Sequence, residues 1–120
     1  MYDHPFSIEP SVQPYYVREN ESGPILNCAF SENYRNRDRY EPEWTRVVDG
    51  TPKRLARDSI VFLKNDYSLH EDSQTGEYNL QIKTVKFEKD NGQFFCSLLD
   101  RESGEQLLST PATVMVVAGF

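Results

Sequence analysis

Ile25-Leu26-Asn27-Cys28-Ala29-Phe30 and Gln93-Phe94-Phe95-Cys96-Ser97-Leu98 share one pattern. In an extended chain successive side chains point to opposite faces, so Leu26, Cys28 and Phe30 line one face, and Phe94, Cys96 and Leu98 do the same. Both sulfurs are thereby aimed at an interior. Between them, Glu43-Trp44-Thr45-Arg46-Val47-Val48 opens a third alternating run in which Trp44 takes the inward position.

Working outward, further short alternating runs cover Phe6 to Glu9, Tyr15 to Arg18, Pro24 to Phe30, Glu43 to Val48, Lys53 to Ala56, Tyr67 to His70, Glu77 to Val85, Gln93 to Asp100 and Gln106 to Val117. No stretch keeps apolar residues at helical spacing over three turns. Turn residues fall at the reversals: Glu21-Ser22-Gly23, Asp49-Gly50-Thr51-Pro52, Ser73-Gln74-Thr75-Gly76, Asp90-Asn91-Gly92 and Glu102-Ser103-Gly104. Ser31 to Pro42 is the longest polar stretch and is expected to be an exposed loop. Nine short strands predict an all-β, two-sheet sandwich. The expectation is one domain over residues 1–120, its core spanning about 6–117, without repeats.

The chain carries a formal charge of −6, which leaves no source for sequence-independent attraction to nucleic acid. Lys53, Arg54 and Arg57 form the densest basic patch and read as a solvated strand edge. No run approaches the ~20 apolar residues of a membrane span. No charged segment leads into an apolar signal-type stretch, so the expectation is a mature piece of a longer secreted chain. Two cysteines and the isolated His4 and His70 lack the close pairing that zinc requires, and neither metal nor cofactor is expected. Asn20-Glu21-Ser22 is an N-glycosylation sequon, meaningful only in a secretory compartment. Nucleophile, phosphate-loop and His-cluster motifs are absent; His70-Glu71-Asp72-Ser73, where His, acid and Ser come near one another, reads as a strand end and turn. An enzyme is therefore not expected.

Tyr78-Asn79-Leu80-Gln81-Ile82 and the later Asp90-Asn91-Gly92-Gln93-Phe94-Phe95-Cys96 resemble strand E and the Asp-x-Gly-x-Tyr-x-Cys strand F motif of the immunoglobulin superfamily. With Cys28 and Trp44 the match covers nearly the whole chain. The resemblance implies a V- or I-set sandwich with an inter-sheet Cys28–Cys96 disulfide, Trp44 packed on it, and Leu80, Ile82, Asp90 and Phe94 completing the core signature. Such a crosslink is worth roughly 4 kcal/mol; buried free thiols are the alternative. Phe94 stands where the family has the tyrosine of the tyrosine corner. Asp66 occupies the place of the basic partner of the motif's aspartate, which leaves Lys64 as a substitute partner for Asp90.

Asp66-Tyr67-Ser68-Leu69 leading to Gly76-Glu77-Tyr78-Asn79-Leu80 is similar, more narrowly, to the first domain of nephrin and Neph-like (Kirre- and Roughest-type) adhesion receptors. This implies an extracellular ectodomain of a single-pass protein that recognises another immunoglobulin-type receptor, homophilically or heterophilically, at cell junctions or synapses. Glu43 and Ser97 depart from the glutamines usual in those receptors.

Alternation then identifies the candidate contact face. Glu43, Thr45 and Val47 on strand C, Phe95, Ser97 and Leu99 on strand F, Leu107 and Ser109 on strand G, and Arg54 and Leu55 on C′ are expected to point outward. Arg46 and Asp100 join Glu43 and Arg54 as rim charges. The alternatives are a structural spacer in a tandem array and a V-like immune or secreted ligand-binding domain.

Overall fold

A computed structural model describes residues 4–117. Among them are twelve strands, β1 (Phe6–Ile8), β2 (Tyr15–Arg18), β3 (Ile25–Leu26), β4 (Ala29–Phe30), β5 (Tyr40–Val48), β6 (Thr51–Arg57), β7 (Ile60–Val61), β8 (Tyr67–Asp72), β9 (Glu77–Ile82), β10 (Gly92–Asp100), β11 (Gln106–Leu108) and β12 (Ala112–Val117), with a 3-10 turn at Glu32–Tyr34 and a single helical turn, α1, at Phe87–Asp90. One sheet runs β1-β4-β9-β3 with β8 paired to β9; the other runs β2-β12-β10-β5-β6-β7 with β11 paired to β10. The chain changes sheets between β1 and β2, and β2 lies parallel to β12, opposite Val114 to Val117.

Four of the expected strands differ markedly in extent. The first is broken at Asn27 and Cys28. There the Cys28 amide donates at 2.9 Å to the Asn79 side-chain Oδ1 instead of to a backbone carbonyl of β9, which separates β3 from β4. The last is broken at Ser109 to Pro111, where the Thr110 amide and hydroxyl donate to Glu9 Oε1 at 2.7 and 3.2 Å and Pro111 has no amide hydrogen. Strand C starts earlier than expected: Tyr40 and Pro42 are buried and continue the inward alternation through Trp44 and Arg46, so the polar loop ends before them. Glu77 to Val85 was expected as one strand, but it ends at Ile82 and leads to α1.

Leu26, Phe30, Trp44, Tyr67, Tyr78, Leu80, Ile82, Phe94, Leu98 and Val114 fill the space between the sheets, almost without exposure. Cys28 and Cys96 are joined there as a disulfide, their Cα atoms 6.5 Å apart. Trp44 is fully buried, and its Nε1–H donates to the Tyr78 carbonyl at 2.8 Å, a second tie between the two sheets, here from β5 to β9. The indole thus buries its ring without stranding its one polar atom.

Asp90, also fully buried, accepts from the Tyr67 hydroxyl at 2.9 Å, the Lys86 amide at 2.8 Å and Lys89 Nζ at 2.7 Å. Lys64 is not its partner; the Lys64 carbonyl accepts from Lys83 instead. Phe94, lacking a hydroxyl, packs edge-on against Tyr67 with centroids 6.3 Å apart, and the Arg46 guanidinium covers it at 5.3 Å.

Candidate functional site: the outer face of the larger sheet

The outer face of the larger sheet is built in rows. Phe95 lies opposite Thr45, which lies opposite Arg54. The next row runs Leu108, Ser97, Glu43, Arg57 and Ile60 across β11, β10, β5, β6 and β7. A third joins Gln106, Leu99 and Glu41. Val47 and Leu108 stand clear of the surface at 47% and 60% exposure, Ile60 is exposed, and Phe95 and Leu99 are half-buried. Met115 and Tyr16, paired across β12 and β2, extend the apolar surface past β10.

Between these residues is a depression of about 250 Å3, lined by Glu41, Glu43, Arg54, Ser97, Leu99 and Gln106. Ser97 faces it but is covered, with Gln106 Nε2 donating to its hydroxyl at 3.3 Å. Glu43 Oε2 forms an ion pair with Arg54 Nε at 2.9 Å. Glu41 pairs with Arg57 at 3.4 Å and Arg101 at 3.3 Å, and Arg101 reaches Asp58 at 3.4 Å. Burial pushes the Glu43 carboxyl above its ordinary pKa; Arg54 and Arg57 pull it down and Glu41 adds to the rise.

Several expected members of the face lie elsewhere. Leu55 is buried, because the register shifts between Trp44 and Thr45: Trp44 pairs with Ala56 and Thr45 with Arg54, so Leu55 is the extra residue and turns into the core. Leu107 sits opposite the inward Leu98 and packs on the core, and Ser109 is buried. The break after β11 shifts the parity expected for strand G, and Leu108 and Gln106 take the outward places. Alternation continued unbroken through Pro111 has no way to show this. The buried guanidinium of Arg46 donates to the Asn91 carbonyl at 2.7 Å, so it forms no rim. Asp100 is likewise buried, paired with Arg39 Nε and Nη2 at 3.2 and 3.1 Å. That pairing and the Glu102 amide hold its pKa down at about 2.

The opposite sheet presents a different outer face. Ser68, His70 and Asp72 on β8 lie opposite Gln81, Asn79 and Glu77 on β9, a polar surface with exposed Ile25 and Ile8 toward its β3 and β1 margin. His70 contacts Gln81 at 2.8 Å, Glu71 accepts from Arg37 and Ser59, and Asp72 accepts from the Gln74 amide, so these groups serve three separate local contacts. Asn20 is exposed in the turn between β2 and β3, with backbone φ of 72° and its side-chain oxygen accepting from Lys86. Among the described residues no group of three or more His, Cys, Asp or Glu gathers as metal ligands.

Two twisted sheets joined by a buried disulfide and an indole, with one strand switched between sheets, make this an immunoglobulin-like domain of V/I-set type. Its backbone superimposes on solved structures of that fold. The first domain of Duf (Kirre) matches with a TM-score of 0.72 at 18% identity, over 96% of this chain and 97% of that one. The first two domains of Rst match at 0.71 and 20% identity over 94% of this chain, which spans about half (48%) of that two-domain chain. No family model matches the sequence, and no curated protein sequence does.

Proposed function

We propose that the chain is an extracellular recognition domain, non-enzymatic, that binds a protein partner of immunoglobulin type through the outer face of β11, β10, β5 and β6. The observation that carries this is the difference between the two outer faces. One bears Val47, Phe95, Leu99 and Leu108 around a central depression; the other bears Ser68, His70, Asp72, Glu77, Asn79 and Gln81. Exposed apolar side chains clustered inside a charged rim characterise protein contact surfaces, whereas scattered ones do not. The resemblance to Neph-like adhesion receptors, and the backbone likeness to the first domain of Duf (Kirre), support adhesion as the setting. The exposed sequon at Asn20, remote in sequence from the face residues, suits a glycosylated, cell-surface protein.

A glycan wedge tests the assignment. Thr45→Asn with Val47→Thr installs an acceptor sequon on the proposed face; Ser68→Asn with His70→Thr installs one on the opposite sheet. The chain, multimerised for avidity and secreted from a glycosylating host, is applied to intact cells. Binding is expected to be lost in the first variant and kept in the second. Loss only in the second, or binding that neither variant alters, contradicts the assignment.

A further inference from the structure

Glu43 occupies the third of the five strands in the row Ile60, Arg57, Glu43, Ser97 and Leu108, which puts a carboxylate at the centre of the face. Its side chain is only 13% exposed, while that of Arg54, its partner, is 54% exposed. The acid is recessed in the depression and the base stands at the rim. The ion pair with Arg54 is made at Oε2, and no hydrogen bond from the described residues reaches Oε1.

We propose that Glu43 bars this face from pairing with a second copy of the chain and selects a different protein, one that inserts a lysine or arginine side chain into the depression. This rests on the assignment of that sheet face as the contact surface. A symmetric contact brings residues on its two-fold axis against their own copies. Centred on the depression, it sets Glu43 against Glu43 while removing water from both, and like charges so placed oppose association. An off-axis register that exchanges Arg54 between copies replaces one Arg54–Glu43 pair by an identical one and leaves both Oε1 atoms unmet.

A foreign ammonium or guanidinium has no such penalty. It finds Glu43 Oε1, with Glu41 beside it on the same strand face, and Leu99 and Gln106 as walls for its aliphatic stem. The rise in the Glu43 pKa shows that Arg54 and Arg57 do not fully offset its desolvation, which is the condition in which a further donor gains most. Glu41 is already held by Arg57 and Arg101, so the incoming cation is fixed chiefly by Glu43.

Charge reversal provides the partner needed for a test. Sedimentation velocity is run on the wild-type chain, on Glu43→Arg and on their equimolar mixture, with Glu43→Lys replacing Glu43→Arg if the latter does not fold. Each alone is expected to remain monomeric up to about 0.1 mM. The mixture is expected to form a 1:1 complex at least roughly tenfold tighter than either self-association. Phe95→Asp in both components is expected to abolish that complex. A wild-type dimer broken by Phe95→Asp, or a mixture that stays monomeric, overturns the inference and leaves the face assignment standing. A mixed complex indifferent to Phe95→Asp overturns both.

Discussion

At the scale of single residues, most interior polar groups find partners across the fold, although Arg46 Nε and Nη1, Arg57 Nε and Asp58 Oδ1 make no hydrogen bond, and those partners explain where expectation from sequence failed. Arg46 alternates inward with Trp44, so its exclusion from the rim was contained in the same parity that placed Glu43 and Thr45 outside. The missing signal was the acceptor: a buried guanidinium needs a carbonyl and a ring to rest on, and Asn91 and Phe94 are distant in sequence. Asp90 is similar. Lys86 and Lys89 are its neighbours in sequence, but its third partner, Tyr67 on β8, is brought to it only by the folded chain. Asp100 gives a direct test. Its pKa falls from an ordinary 3.8 to about 2 because of Arg39, so the folded state holds the ionised form more strongly than the unfolded chain does. The resulting stabilisation is complete above the unfolded value and is lost as the pH falls toward about 2. Chemical denaturation of wild type and Asp100→Asn between pH 7 and pH 2 should show the wild type's advantage constant down to about pH 4 and vanishing below it. An advantage that persists unchanged at pH 2 contradicts the pairing.

At the scale of elements, strand identity was legible from alternation, and strand continuity was not. The cysteine and tryptophan strands follow the period of two because each is buried along one face. The interruptions at Cys28, Leu55 and Ser109 arise from side-chain hydrogen bonds and a bulge, which leave no mark in a local apolar pattern. The break after β11 has a measurable consequence. Leu107 packs on the core and Leu108 is exposed. Leu107→Asp should destabilise the fold by about 1–3 kcal/mol in urea unfolding, because it buries an unpaired carboxylate. Leu108→Asp should change stability by no more than about 0.5 kcal/mol. The reverse order of effects restores unbroken alternation through the last strand.

At the scale of the whole molecule, the sandwich is an insulated core between two unlike outer faces. The residues that decide the fold, Cys28, Trp44 and Cys96, all point inward and are fully buried, so they can carry no recognition themselves. Their immediate neighbours on the outside, Glu43, Thr45, Phe95 and Ser97, form the centre of the larger sheet's outer face. Much of that face was therefore legible once the inward set was known; its charge pattern and depression were not, because they depend on how β6 and β11 flank the two central strands. The central claim is that this face recognises a partner and adds little to folding. Phe95→Asp measures both parts together, through thermal unfolding and binding of the multimerised chain to cells. The account predicts that binding disappears while Tm moves by less than about 5 °C. Unfolding of the variant, or binding at the wild-type level by a variant that stays folded, would contradict it.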